Sequence, residues 1–182
     1  MANRKDVEWI ILVGRHAARF SGSGYGEVEN EFISKPWTYI YSDNLTQSQS
    51  NIEAFEFGLK NTIDFLVKSG KKIIFVHQIP ELGFDIRGCL NRVGNNKTEK
   101  CNLNINSVFE RLSPYKNSVN QIINNNKSVL QYDPMHITCN RTSCELFDNS
   151  GNLLYRDDNH ISKHGAEKIT TDIIKMIAIN QH

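Results

Sequence analysis

The 182-residue chain contains no apolar run of about 18 residues, so no segment of it is predicted to cross a membrane as a helix. It also lacks an excess of charge of one sign, because 21 Lys and Arg residues are balanced by 20 Asp and Glu residues. A basic surface suited to nucleic acid is therefore not expected. The polar residues 1–6 lack the apolar region of a secretory signal peptide. A chain of 182 residues is long enough for a globular domain with a sizeable core.

Cysteine is scarce, but its four copies fall into two local pairs in polar sequence, Cys89 with Cys101 and Cys139 with Cys144. Sequence alone does not choose among the three pairings that four cysteines allow. Loop closure favours the local pairing, because short loops lose the least entropy when they close. Neither pair has the Cys-x-x-Cys spacing of common zinc sites, so we favour disulfides over metal or free thiols. Disulfides would indicate an oxidising compartment.

Strand and helix patterns alternate along the chain. Apolar runs typical of strands buried in a parallel sheet occupy residues 7–14, 73–76 and 128–132. Helical periodicity occupies residues 47–68, 107–124 and the C-terminal stretch after Ser162, with a break expected at Pro114. The intervening residues 82–106 and 135–148 are interpreted as a polar insertion and a loop. Alternation of this kind predicts an α/β fold with a parallel sheet, and the lack of a linker predicts a single domain over residues 1–182.

Two of the predicted strands are followed by candidate functional residues, at the edge of the sheet where α/β proteins carry functional loops. Gly14 and Arg15 follow the first strand, and His77 follows the second. Either backbone N–H groups near Gly14 or the Arg15 guanidinium could stabilise an oxyanion. A histidine at a strand end is more often simply hydrogen-bonded, and this is the interpretation we favour for His77.

Asp157 and His160 stand three residues apart just before the last helical pattern, for which Ser162 is a suitable N-cap. A turn that enters a helix can hold a carboxylate against an imidazole. The carboxylate then fixes the tautomer, and the free ring nitrogen takes a proton from a nucleophile, as acyl transfer requires. Asp158 is the alternative to Asp157 as the carboxylate that orients His160.

A metal-dependent hydrolase is a more remote interpretation of the same stretch. Its ligands would be Asp157, Asp158, His160 and His164. No helical His-Glu-x-x-His surrounds these residues, so we expect neither a metal nor a cofactor.

Residues 155–166, Tyr-Arg-Asp-Asp-Asn-His-Ile-Ser-Lys-His-Gly-Ala, closely resemble the last conserved block of the SGNH (GDSL-like) hydrolases. In particular, they are similar to the C-terminal domain of membrane O-acyltransferases of acyltransferase family three, which acylate cell-surface polysaccharides. The resemblance runs from Trp9 to the final helix. It implies a three-layer α/β/α sandwich with a parallel, flavodoxin-like sheet, and it assigns Asp157 and His160 to a Ser-His-Asp triad.

The chain departs from the family pattern in one respect that matters for chemistry: it contains no Gly-Asp-Ser block. It begins at what resembles the third strand of the fold, so the first two strands and the nucleophile are expected to be missing and the strand from Trp9 to be an apolar edge. The chain is thus interpreted as the C-terminal piece of a larger protein or a truncated gene product, inactive alone. The alternative is that Ser21 or Ser23 is the nucleophile.

The resemblance implies transfer of an acyl group, expected to be acetyl, from an acyl donor to a surface polysaccharide such as lipopolysaccharide O-antigen. The expected partner is a membrane acyltransferase domain in a longer parent chain, with this domain on the periplasmic side of the inner membrane. The alternative is a non-catalytic glycan-binding or scaffolding domain that uses the aromatic segment from Trp37 to Tyr41.

Overall fold

The computed structural model describes residues 4–32, 50–93, 101–124 and 126–180. In chain order its elements are β1 (Trp9–Val13), α1 (His16–Ser21), a 3-10 helix (Glu27–Phe32), α2 (Asn51–Lys68), β2 (Lys72–Val76), α3 (Ile86–Val93), β3 (Leu103–Asn104), α4 (Ile105–Ile123), β4 (Val129–Tyr132), α5 (Met135–Thr138), β5 (Ser143–Cys144) and α6 (Lys163–Ile179).

The chain divides into two compact units. Of the described residues, the first unit contains those within Met1–Gly24, Phe32–Gln78 and Arg111–Tyr132, and the second contains those within Tyr25–Glu31, Ile79–Glu110 and Asp133–His182. That the whole chain is one domain stays a prediction.

The first unit is built on a parallel three-stranded sheet in the order β1-β2-β4. Val76 of the central strand pairs with Val13 on one side and Tyr132 on the other, so the three carboxyl ends are level. The prediction of an α/β fold with a parallel sheet is confirmed. Ile73, Ile74 and Phe75 are fully buried, as a central strand with apolar residues on both faces requires.

Strand β1 lies at the edge of the sheet that the described residues form. Ile11 is 45% exposed and Val13 is 71% exposed. The apolar run of this strand is therefore not buried on both faces, and the predicted apolar edge is present in the described part of the chain.

Helix α2 begins and ends with signals that are local in sequence. Ser50 and Glu53 form a capping box at its start. At its end, Gly70 has φ +73°, and the N–H groups of Gly70 and Lys71 donate to the carbonyls of Val67 and Leu66 in a Schellman motif. Gly70 thus occupies the C′ position, where glycine is favoured because it adopts a positive φ without strain.

Two expectations for the middle of the chain are wrong. Pro114 lies inside α4 without breaking it, because the surrounding turns are held by the buried side chains of Leu112, Tyr115 and Val119. Residues 82–106 are not only a polar insertion, since they contain α3 and β3, and residues 135–148 contain α5 and β5. These elements are short, and β3 and β5 pair with each other across about 40 residues, a contact that periodic sequence does not signal.

In the second unit β3 pairs with β5 in antiparallel fashion, with Leu103 opposite Cys144. Both disulfides have the predicted local pairing, Cys89–Cys101 and Cys139–Cys144. Among the described helices, none has the length and apolar character needed to span a bilayer.

Candidate active site

The candidate site lies in the second unit on a short loop, residues 156–160, that is closed at its base. Tyr155 pairs with Ile161 in an antiparallel bridge. Inside this bridge the N–H of Arg156 donates to the carbonyl of His160 at 2.8 Å. Outside it, the N–H of Ser162 donates to the carbonyl of Leu154 at 2.7 Å. The five loop residues are thus fixed by backbone bonds on both strands of a small hairpin.

Ser162 joins this hairpin to α6. Its Oγ donates to the carbonyl of Leu153 at 2.6 Å and accepts from the N–H of Gly165 at 3.1 Å. The second bond is the N-cap that the sequence predicts. One hydroxyl therefore determines where the helix begins and where the loop that precedes it lies.

Asp157 orients His160 through the ring and the backbone at once. Asp157 Oδ1 lies 2.8 Å from His160 Nδ1 and accepts from the backbone N–H of His160 at 2.8 Å. An acceptor at Nδ1 favours the tautomer that carries its proton there. Nε2 is then the basic nitrogen, and it makes no hydrogen bond within the described residues; the His160 side chain is 61% exposed. The predicted contact between Asp157 and His160 is present.

The electrostatics of Asp157 suit an orienting carboxylate. Burial alone would raise its pKa, but the bonds from the His160 ring, from the N–H groups of Asn159 and His160, and from Arg156 outweigh burial and lower the pKa. Arg156 contacts the other oxygen, Oδ2, through Nε and Nη2 at 3.2 Å each. Asp157 is consequently ionised at neutral pH and stabilises a positive charge on the imidazole.

Asp158 has a different environment from Asp157. Its Oδ2 accepts from Asn159 Nδ2 at 2.8 Å, and its backbone carbonyl accepts from the N–H of Leu82 at 2.7 Å. Burial raises the pKa of Asp158, and the charges of Glu29 and Asp157 raise it further. Asp158 is therefore engaged with the interior of the unit, whereas Asp157 is engaged with His160.

Two other histidines in the second unit also contact carboxylates, but through Nε2. His164 Nε2 lies 2.7 Å from Asp148 Oδ2, and His136 Nε2 lies 3.0 Å from Asp172 Oδ2. Both pairs line a cavity of about 710 Å³ beside α5 and α6. Because their Nε2 atoms are engaged, these histidines lack the free, outward Nε2 that makes His160 suitable as a base.

The metal-site interpretation does not match these contacts. The His164 ring contacts Asp148, and the Asp158 carboxylate contacts Asn159. Neither His164 nor Asp158 is therefore directed at a metal position shared with His160. Within the described ranges, no group of three or more His, Cys, Asp or Glu residues could hold a metal ion.

The predicted oxyanion residues lie in the first unit. Gly14 and Arg15 come directly after β1 and before α1, at the carboxyl end of the sheet. Their role as oxyanion donors stays a prediction.

The two candidate serines also lie in the first unit, where they contact a cation. Arg111 Nη1 donates to Ser21 Oγ at 3.0 Å, and Arg111 Nη2 donates to the carbonyl of Ser23 at 2.9 Å. A guanidinium cannot accept a proton, so it cannot serve as the base for either hydroxyl.

His77 is buried and hydrogen-bonded, as favoured from sequence. Its Nε2 lies 2.8 Å from Gln131 Oε1, and its Nδ1 lies 3.3 Å from the Tyr115 hydroxyl. The segment from Trp37 to Tyr41, the other sequence-derived candidate, lies outside the described residues.

Sequence reasoning missed one residue that lies at the loop. Glu29 is only 5% exposed, and its Oε1 lies 3.4 Å from Asn159 Nδ2. The two residues are 130 positions apart. No local pattern signals a contact over such a separation.

Comparison with a family model agrees with the sequence resemblance. A family model for the SGNH domain (fused to AT3 domains) matches residues 1–175. The chain is also similar, at 16% identity and a TM-score of 0.46, to the solved periplasmic domain of a lipopolysaccharide acetyltransferase from Salmonella ser. Paratyphi A. That similarity covers 77% of this chain and 54% of the other, so this chain spans about half the length of that structure. No curated protein matches. Because the family model covers nearly all of the sequence, the chain belongs to the family of SGNH domains fused to AT3 domains.

Proposed function

We propose that this domain provides the base for transfer of an acyl group, namely acetyl, to a hydroxyl of a cell-surface polysaccharide such as lipopolysaccharide O-antigen. The observation that carries the proposal is the 2.8 Å contact of His160 Nδ1 with Asp157, which leaves Nε2 free. Membership of a family fused to AT3 domains supports acyl transfer as the class of reaction.

In the proposed reaction a serine hydroxyl of the complete protein attacks the carbonyl carbon of the acyl donor. His160 Nε2 takes the hydroxyl proton as the new C–O bond forms, and it returns the proton to the leaving group as the donor bond breaks. Asp157 holds the ring and stabilises the imidazolium. The same two steps, with the sugar hydroxyl as the attacking group, then release the acyl group to the polysaccharide. Gly14 and Arg15 are proposed oxyanion donors.

The family description supports a membrane-embedded acyltransferase domain as the partner that delivers the acyl group. The two disulfides are in keeping with an oxidising compartment. We accordingly propose that the domain lies on the periplasmic side of the inner membrane.

The test is complementation of a deletion strain with the complete gene that encodes this domain. The wild type is compared with His160→Ala and with His164→Ala, a matched histidine variant four residues away. Acetate released from purified surface polysaccharide is measured, and protein abundance is measured by immunoblot. We expect His160→Ala to abolish acetylation at normal abundance and His164→Ala to retain it. Acetylation that persists in His160→Ala would refute the proposal and favour the glycan-binding alternative.

A further inference from the structure

A buried carboxylate lies beside the loop that carries His160. Glu29 is 5% exposed, and its Oε2 accepts from the backbone N–H of Tyr25 at 2.7 Å. Its other oxygen, Oε1, lies 3.4 Å from Asn159 Nδ2. Removing a carboxylate from water is unfavourable unless hydrogen bonds replace the lost hydration. The position of Glu29 is therefore set by the groups that it contacts.

Asn159 connects Glu29 to the residue that orients the histidine. Its side-chain amide donates to Asp158 Oδ2 at 2.8 Å as well as facing Glu29. Its backbone N–H donates to Asp157 Oδ1 at 3.2 Å, and this is the oxygen that contacts the His160 ring. Asn159 thus contacts Glu29 through its side chain and Asp157 through its backbone, so one residue lies between the two carboxylates.

The segment that carries Glu29 is fixed by backbone contacts. The N–H of Glu27 donates to the carbonyl of Gly83 at 2.8 Å, and the N–H of Leu82, one residue earlier, donates to the carbonyl of Asp158 at 2.7 Å. Gly26 has φ +71°, and a Cβ atom on it would overlap the Gly83 backbone. Residues 25–29 and 82–83 therefore form a support against which the loop rests.

We propose that Glu29 is a positioning residue for His160, acting through Asn159 and Asp157. This inference rests on the proposed function for its catalytic meaning, whereas the positioning itself is a property of the loop. Glu29 and Asp158 each accept a hydrogen bond from the Asn159 amide, so the amide is held in one orientation. Without Glu29 the amide keeps its bond to Asp158 but loses its second acceptor, so Asn159, whose N–H donates to Asp157 Oδ1, is less firmly positioned.

The proximity of two carboxylates is consistent with this arrangement. Burial raises the pKa of Asp158, and the charge of Glu29 adds to the effect. The Asn159 amide lies between the two groups and reduces their repulsion by donating to both.

The test reads the tautomer of the His160 ring in the 182-residue chain by long-range ¹H–¹⁵N NMR at neutral pH. The variants are Glu29→Ala, Glu29→Gln and Asn159→Ala. The matched control is Glu27→Ala, because Glu27 is an exposed acid in the same 3-10 helix. We expect the wild type and the control to hold the Nδ1–H tautomer. Glu29→Ala and Asn159→Ala should each populate both tautomers. Combining these two substitutions in one protein should not increase the fraction of the second tautomer beyond that of either single variant.

Glu29→Gln covers the case in which the alanine variant does not fold. Glutamine keeps the shape and one acceptor oxygen, so the tautomer mixture should be intermediate. A wild-type tautomer in folded Glu29→Ala, or in Glu29→Gln if only that variant folds, would overturn the inference.

An acetylation assay in the complete protein separates this inference from the proposed function. Glu29→Ala should lower acetylation by as much as about 100-fold, the scale of effect for a misplaced catalytic group. If His160→Ala retains acetylation while the Glu29 variants change the tautomer, the proposed function fails and the positioning stands. If His160→Ala is inactive and Glu29→Ala retains both wild-type acetylation and tautomer, the positioning role fails alone.

Discussion

The backbone carbonyl of Leu154 lies so close to Gly165 that a Cβ atom at position 165 would be only 2.8 Å from its oxygen. The same Cβ would overlap the side chain of Ile161. Gly165 is in the first turn of α6, and Leu154 and Ile161 lie on the two strands of the hairpin that carries His160. The absence of a side chain at one helical position therefore allows the helix to pack against the base of the loop that carries His160.

Gly165→Ala is expected to destabilise the protein by about 1–3 kcal/mol, because the methyl group meets backbone and cannot be accommodated by a rotamer change. Gly58→Ala is the matched control, since it replaces another helical glycine whose Cβ would meet nothing within 4 Å. The control should gain roughly 0.5–1 kcal/mol from helix propensity. Thermal and urea denaturation measure both changes. Equal effects of the two variants would contradict the close approach.

Asp157→Asn and Asp158→Asn form a matched pair that tests which carboxylate orients His160. Asparagine at position 157 offers a donor where the Nδ1–H needs an acceptor, so acetylation by the complete protein should fall by about 10³-fold or more. Asparagine at position 158 leaves the contact between His160 and Asp157 intact, and the loss should be much smaller. Polysaccharide acetate content at equal protein abundance provides the comparison. A larger loss from Asp158→Asn would reverse the assignment.

Ser162→Ala removes both the N-cap of α6 and the bond to the Leu153 carbonyl. We expect a loss of about 1–2 kcal/mol in the free energy of unfolding, at the upper end for N-caps because two bonds are lost. Ser162→Thr keeps the hydroxyl and should recover most of it. Denaturant titration measures the stability, and the exchange rate of the Gly165 amide reports directly on the cap. A Ser162→Ala variant with a protected Gly165 amide would show that the cap is dispensable.

We predict that the stability of the first unit depends on pH because of His16. Burial, with a smaller contribution from the nearby His77, lowers the pKa of His16 to about 4. Above pH 6.5 the ring is neutral in both the folded and the unfolded chain, so it has no effect. Below that pH the unfolded chain binds a proton that the folded chain does not, so stability falls as the pH falls towards 4. The loss in the free energy of unfolding is at most about 3 kcal/mol, and partial exposure of the ring to solvent reduces it.

The corresponding variant is His16→Phe, which keeps the stacking on Phe75, whose ring centroid lies 4.5 Å away. Unfolding free energies measured between pH 7 and pH 4 should fall less steeply for this variant than for the wild type. Parallel curves for the two proteins would mean that His16 is not held neutral by burial.

Features of this protein that depend on residues close together in the sequence were predictable from it. The caps at Ser162 and Gly70, the strands around Ile11 and Ile74, and the local disulfides are all set by short-range chemistry. The pairing of Asp157 with His160 belongs to the same class, because a turn of three residues suffices to bring the groups together. The persistence of α4 through Pro114 was not predictable, since it depends on packing that the local sequence does not specify.

The sequence by itself determined that a carboxylate and an imidazole would meet before the last helix, and it placed the chain in its family. Only the tertiary structure decided which nitrogen of each histidine is free, because that depends on acceptors such as Asp148 and Asp172 that lie far along the chain. It likewise brought Glu29 to Asn159 across 130 residues. Short-range geometry is fixed by bond lengths and turn preferences, whereas long-range contacts depend on how the whole unit buries its apolar and polar groups together.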